Sequence, residues 1–115
     1  MNKLLLTLTL GAASLSAQAA DVVGKPDAAQ GKVAMCIGCH GIQGYRSSFP
    51  EVYSVPKLGG QSAGYIVAAL KEYQKGDRKH PTMRGIAATL SEQDMADIAA
   101  YYAQQTAETP ANRVK

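Results

Sequence analysis

The sequence is poor in large aromatic side chains and in cysteine. It contains no tryptophan, one phenylalanine and two cysteines in 115 residues. A small chain buries only a modest fraction of its surface, and this one has few large side chains with which to fill a core. Two cysteines are too few for a scaffold stapled by several disulfides. A bound apolar group would supply the missing bulk, so we expect the protein without such a group to be largely unfolded.

A long apolar run is also absent. The chain starts with a basic segment, and its apolar residues 4–10 fall short of the ~20 residues that a membrane-spanning helix needs. Ala17-Gln18-Ala19 has the small-x-small form of a signal-peptidase site. We therefore predict that residues 1–20 are a cleaved signal peptide and that residues 21–115 form one domain, exported to the periplasm without stable membrane insertion. An uncleaved anchor is the alternative.

The charge is nearly balanced. Twelve basic residues against nine acidic ones give a net charge of +3, which does not indicate nucleic-acid binding. A group that we call the basic cluster consists of Lys71, Lys75, Arg78, Lys79 and Arg84. It is either an ordinary solvated face or a docking surface for an acidic protein partner.

The two cysteines that are present lie in Cys36-Ile37-Gly38-Cys39-His40, a C-x-x-C-H run typical of c-type haem attachment. Thiols three positions apart lie on one face of a helical turn, where each can form a thioether to a haem vinyl group. His40 follows directly and is then the proximal iron ligand. The run predicts one covalently bound haem c.

Two other interpretations of this run use the same thiols. A four-ligand zinc site would need distant histidines, and only His80 remains besides His40. A thioredoxin-like redox pair would lie near a βαβ pattern, which the sequence does not show.

Apolar periodicity and capping signals predict an all-α fold with three main helices and loops wrapped around the haem. The first helix is expected over residues 28–40, with Asp27 as N-cap and Gly41 after its end. The second is expected over residues 62–75, ending at Gly76, and the third begins after the N-cap Ser91. Residues 41–61 and 77–90 are expected to be irregular, with a short helical turn at 85–90 and no strand.

The residue at the sixth coordination position of the haem iron determines whether the protein serves electron transfer, gas binding or catalysis. Met35 lies on the proximal helix, and Met95 falls on the apolar stripe of the last helix. Met83 lies in a predicted loop far enough from His40 along the chain to reach the opposite face. His80 shares that loop, so ligation by two histidines is the rival of ligation by His40 and Met83.

The chain resembles the class I cytochromes c, of the small soluble bacterial type close to one half of cytochrome c4 and to the cytochrome c-553 group. The residues that carry the resemblance are 36–41, 55–61, Tyr65, 75–78 and 83–102. It implies the class I cytochrome c fold, with Met83 as the axial methionine. It also implies that the carbonyl of Pro56 accepts a hydrogen bond from His40, which orients the imidazole and strengthens it as a ligand.

The resemblance also concerns how the terminal helices cross. Tyr101 matches an aromatic residue that packs across the first helix, where the family uses a glycine. Gly31 is the candidate for that glycine, and a contact shifted to Ala28 is the alternative.

The expected function is one-electron transfer, without enzymatic activity, by a monomer or weak dimer that meets redox proteins with acidic docking surfaces. Two alternatives stay open from the sequence. The chain could be a haem c subunit or domain of a larger respiratory dehydrogenase or oxidase complex, or a haem protein whose open sixth site binds small ligands.

Overall fold

The computed structural model describes residues 21–48 and 51–109. They form a 3₁₀ helix, Pro26–Ala29, then helix α1, Ala34–His40, strands β1, Arg46–Ser47, and β2, Tyr53–Ser54, and helices α2, Ala63–Lys75, α3, Pro81–Ala87, and α4, Glu92–Ala103. The predicted signal peptide, residues 1–20, lies outside the described residues. Within the described ranges, none of the helices has both the length and the apolar character needed to cross a membrane.

The start of the predicted first helix is wrong. A 3₁₀ helix and a turn precede α1, so that α-helical structure begins at Ala34 rather than at residue 28. Lys25 holds the N-cap position without a side-chain hydrogen bond, and Asp27, predicted as the cap, lies inside the 3₁₀ helix. Pro26 fixes its own φ, and Gly31 in the turn disfavours helix by about 1 kcal/mol relative to alanine. The end is as predicted, because Gly41 N–H bonds to the carbonyl of Ile37.

The N-terminal segment crosses α4 at Gly24, which corrects the predicted crossing at Gly31 or Ala28. A Cβ atom on Gly24 would lie 2.0 Å from the carbonyl oxygen of Ala96, so only glycine fits there. A Cβ atom on Gly31 would meet nothing within 4 Å, and Ala28 is exposed. The sequence motif gave the correct type of residue at the crossing but the wrong position.

Helices α2 and α4 confirm the predictions closely. Ser62 caps α2 by accepting from the Tyr65 N–H at 3.2 Å, and Gly76 ends it in the left-handed region at φ 88°. Ser91 and Asp94 form a complete capping box at the start of α4. Short polar side chains at these positions bond the unpaired first N–H groups of a helix. Ser91 was predicted as the cap of α4, whereas Ser62, predicted as the first residue of the second helix, is the cap of α2.

Helix α3 was predicted only in part, as a short helical turn at 85–90, whereas it runs over Pro81–Ala87. The structure has a helix from Pro81 where an irregular segment was expected, and Met83 lies in its first turn. Proline suits the first helical position, but His80, which caps the helix, is not among the usual cap residues. The antiparallel strands, with Ser47 opposite Tyr53, were also missed, because two-residue strands are too short to show a period.

The core lies between α2, α4, the end of α3 and the N-terminal segment. Its buried apolar residues are Ala29, Val33, Ile66, Leu70, Ala87, Leu90, Met95, Ile98, Ala99 and Tyr102. Helix α1 contributes no fully buried residue. Cys36 and Ile37 of α1 are partly buried against this core, and the helix that carries the cysteines also borders a cavity.

Candidate haem site

A cavity of about 330 Å³ lies among α1, the strand pair, α2 and α3. Its wall includes Met35, Cys36, Cys39 and His40 from α1, residues 53–58 and Gln61 from the strand and loop, Tyr65, Ile66, Ala69, Leu70 and Tyr73 from α2, Arg78, His80, Thr82, Met83, Ile86 and Leu90 around α3, and Ile98 from α4. The apolar stripe predicted for α2 forms one wall. Most lining side chains are apolar, which suits a large apolar group held among the helices.

Both cysteines line this cavity. Cys36 and Cys39 are free cysteines, each half-buried on α1. Burial, with a smaller contribution from Cys39, raises the pKa of the Cys36 thiol to about 11. A redox-active C-x-x-C pair has a lowered thiol pKa, so this environment argues against a thioredoxin-like pair. No group of three or more His, Cys, Asp or Glu residues that could hold a metal ion occurs in the described ranges.

His40 is oriented by a backbone carbonyl. Its Nδ1 donates to the carbonyl oxygen of Pro56 at 2.6 Å. Because a carbonyl can only accept, Nδ1 carries the proton and Nε2 keeps its lone pair. The hydrogen bond expected from the resemblance is thus present, and the imidazole at the cavity wall has one nitrogen available for a metal.

The loop that carries Pro56 is fixed by the end of α4. Gly60 N–H donates to the carbonyl of Tyr102 at 2.9 Å. A Cβ atom on neighbouring Gly59 would lie 2.7 Å from Oε1 of Gln105, so the loop backbone approaches the Gln105 side chain closely. The orientation of His40 therefore depends on contacts at the far end of the chain, which no local pattern in the sequence reveals.

Met83 lines the cavity from α3, a different helix from the one that carries His40. It is half-buried and packs against the core. Met95 is 1% exposed within the core, as predicted, and Met35 is 50% exposed on α1. Among these three methionines, Met83 alone combines a place at the cavity with an element other than the proximal helix.

His80, the rival ligand, is engaged in local contacts. Its Nδ1 accepts from the Met83 N–H at 3.3 Å and caps α3. The centre of the His80 ring lies 4.8 Å from that of Tyr53 and 6.3 Å from that of Tyr73, with the ring planes nearly perpendicular in both pairs. This environment favours Met83 over His80 as the residue free to bind a metal.

An arginine and two tyrosines form a polar corner of the cavity. The Arg78 guanidinium lies 5.1 Å from the centre of the Tyr73 ring, and both its terminal nitrogens donate to the Tyr65 hydroxyl, at 3.3 and 3.4 Å. The hydrogen bond to Tyr65, with the charges of nearby groups, raises the pKa of Arg78. One member of the predicted basic cluster is thus partly engaged by neighbouring side chains of the same chain.

Comparison with known proteins agrees with this geometry. The family model described as Cytochrome c matches residues 28–106. Cytochrome c4 of Pseudomonas aeruginosa is 43% identical over 91% of this chain and 49% of its own length. Cytochrome c-554(548) of Halomonas halodenitrificans is 43% identical over 69% of this chain and 96% of its own length. The solved structure of reduced recombinant cytochrome c4 from Pseudomonas stutzeri has a TM-score of 0.58 at 39% identity, covering 73% of this chain and 47% of that one.

The chain thus spans about half the length of the cytochrome c4 relatives that it matches. The donor set fits a c-type haem: two thiols on one helical turn, an imidazole with a free Nε2 and a thioether, all at one largely apolar cavity. The arrangement of helices agrees with the class I cytochrome c fold. The protein carries covalently bound haem c, and the chain belongs to the cytochrome c family.

Proposed function

We propose that this protein is a periplasmic one-electron carrier whose haem iron has His40 and Met83 as axial ligands. The observation that carries the proposal is that an imidazole with a free Nε2 and a thioether line one cavity from two different helices. In the same proposal, Cys36 and Cys39 form the thioethers to the haem. Residues 1–20, as a cleaved signal peptide, direct the chain to the periplasm.

Each residue has a separate task in this proposal. The carbonyl of Pro56 accepts a hydrogen bond from the Nδ1–H of His40. This bond fixes the ring and makes Nε2 a stronger ligand for iron. Met83 offers a soft sulfur atom, which favours the reduced state and raises the reduction potential. The apolar wall from α2 excludes water, and exclusion of water disfavours the more highly charged oxidised state.

The haem supplies reversible one-electron exchange between its ferric and ferrous states. With His40 and Met83 both bound, no position is left for a substrate, so we propose no enzymatic reaction for this protein. If the sixth coordination position of the iron were instead open, small ligands such as carbon monoxide should bind readily to the wild-type protein.

Partners in this proposal are redox proteins with acidic surfaces. Within the described part of the chain, Lys75, Lys79 and Arg84 of the basic cluster form no ion pair, whereas Lys71 pairs with Glu92 at 3.1 Å. Unpaired surface cations steer an acidic partner into brief contact. A permanent place in a larger respiratory complex would use the same cavity and ligands.

Spectroscopy of three proteins tests the ligand set. The wild-type ferric protein should show the weak far-red band of a methionine–iron bond, and Met83→Ala should lose it and bind carbon monoxide readily when reduced. Met35→Ala is the matched control, because Met35 also lines the cavity but lies on the proximal helix. A wild type that lacks the band, or a Met83→Ala variant that keeps it, would contradict the proposal.

A further inference from the structure

Helix α3, which carries Met83, has only seven residues. An isolated helix of this length is not stable in water, because few hydrogen bonds offset the cost of nucleation. Its position must therefore come from contacts with neighbouring elements. Two side chains supply such contacts, one at each end of the helix.

His80 holds the first end. Its Nδ1 accepts from the backbone N–H of Met83, so the cap bonds to a residue that lines the cavity. The His80 ring meets the edge of Tyr53 on β2 and the edge of Tyr73 on α2. Aromatic rings in such edge-to-face contact attract each other beyond simple burial. The cap is thus itself fixed from two sides.

Gln74 holds the other end from α2. Its Nε2 donates to the carbonyl of Ala87 at 3.1 Å and to the carbonyl of Leu90 at 3.0 Å. The last carbonyls of a helix have no partner within the helix. The Ala87 carbonyl accepts from Gln74 in addition to the Leu90 N–H, and the Leu90 carbonyl lies three residues beyond the end of α3. Because α2 also lines the cavity, Gln74 ties the end of α3 to the helix that forms its apolar wall.

We infer that His80 and Gln74 are positioning residues that keep the Met83 sulfur within the cavity by fixing the two ends of α3. The inference rests on the proposed function, since it takes Met83 to be the axial ligand. It gives His80 a role different from that of a rival ligand. Loss of either residue should allow α3 to move away, so that added ligands displace Met83 more easily while the fold persists.

Titration with imidazole tests the role of His80 in the ferric holoprotein, with loss of the far-red band as readout. His80→Ala should bind imidazole about fivefold more tightly than wild type, the factor expected for loss of an N-cap. His80→Asn keeps a good N-cap acceptor and should recover most of the wild-type affinity. Ser91→Ala is the matched control, because it removes the N-cap of α4 without touching α3. It should lower thermal stability but leave imidazole binding unchanged.

Gln74→Ala should act in the same direction, and Gln93→Ala is its control. Gln93 also bridges two elements through its amide, to the carbonyl of Val23 and to Asp97, but away from the cavity. Equal imidazole affinity in wild type, His80→Ala and Gln74→Ala would overturn the inference, as would an equal gain in both controls. A wild type without the far-red band would instead overturn the assignment of Met83.

Discussion

At the scale of single residues, the C-x-x-C-H run predicts Cys36, Cys39 and His40 as the residues that hold the haem, because the chemistry fixes both residue types and spacing. The residues that support them were harder to find. The bond from His40 to Pro56 came from a family resemblance, and it depends on a carbonyl, which every residue has. The roles of His80 and Gln74 left no signal in the sequence, since capping by histidine and bridging by glutamine depend on tertiary neighbours.

The Tyr102 hydroxyl allows a test of how one buried polar atom affects stability. Its hydroxyl is buried and has no hydrogen-bond partner among the described residues, and burial raises the pKa of this group. A buried hydroxyl without a partner costs about 1–3 kcal/mol. Tyr102→Phe should therefore leave the free energy of unfolding unchanged or raise it by about 1 kcal/mol, as measured by thermal or denaturant melts.

Tyr65→Phe is the control for this substitution. The Tyr65 hydroxyl accepts from Arg78 at an exposed site, so its removal should lower stability by about 0.5 kcal/mol. A loss of more than about 1 kcal/mol in Tyr102→Phe would show that its hydroxyl has a partner in the haem-loaded protein.

At the scale of elements, the sequence located α2 and α4 well, because serine caps and apolar stripes define them locally. It placed the start of the first helix wrongly, because contacts with α4 decide the path of the N-terminal segment. Asp97, which is 2% exposed, accepts from the Lys25 backbone at 2.8 Å and from the Lys32 ammonium at 2.7 Å. Nothing in the sequence indicated that Asp97, a charged residue among the buried residues of α4, binds the N-terminal segment.

The contact between Asp97 and the N-terminal segment should make stability depend on pH. The Lys32 side chain, with the Lys25 N–H, lowers the pKa of Asp97 from 3.8 to about 2. A lowered carboxyl pKa contributes stability that is present above the unfolded-state value and is lost as pH falls through the folded-state value. Thermal melts should thus show this stability intact above about pH 4 and declining towards pH 2.

Two substitutions distinguish the stability contributed by the buried Asp97 contact from that of an exposed ion pair. Asp97→Asn should lower the free energy of unfolding at pH 7 by about 2 kcal/mol, because the buried side chain loses its charge-assisted bond to Lys32, which keeps its ion pair with Asp94. It should also flatten the acid dependence. Glu92→Gln, which breaks the exposed pair with Lys71, should cost less than about 1 kcal/mol. Similar losses in the two variants would contradict the role given to Asp97.

At the scale of the whole molecule, the fold is arranged around its cofactor. The composition indicated a chain too poor in large side chains to fill its own core, and the structure shows where the deficit lies. Helix α1 has no fully buried residue and faces the cavity, whereas α2 and α4 share the buried core. The sequence predicted this need for a cofactor but not the path of the loops around it.

Removal of the haem should therefore abolish cooperative folding. A Cys36→Ser, Cys39→Ser variant purified without haem should show weak helical circular dichroism and a broad, non-cooperative melt. Without haem, a cavity of about 330 Å³ would stay open among the helices, and α1 would lose the packing that stabilises it. A sharp, native-like melt of the haem-free protein would show that the polypeptide core suffices.

Encounter with an acidic redox partner should depend on salt. The rate of electron exchange should fall as ionic strength rises, because salt screens the exposed cations of the basic cluster. Lys79→Gln should reduce both the rate at low salt and its salt dependence, whereas Lys25→Gln, remote from the cluster in sequence, should change neither. A rate independent of salt would remove the docking role from this surface.

The most direct test of the account is X-ray absorption at the iron edge of the wild-type ferric protein and of Met83→Ala. The wild type should show nitrogen donors and one sulfur donor bound to iron, and Met83→Ala should lose the sulfur donor. Nitrogen donors alone in the wild type, or a sulfur donor that persists in Met83→Ala, would contradict ligation of the haem by His40 and Met83.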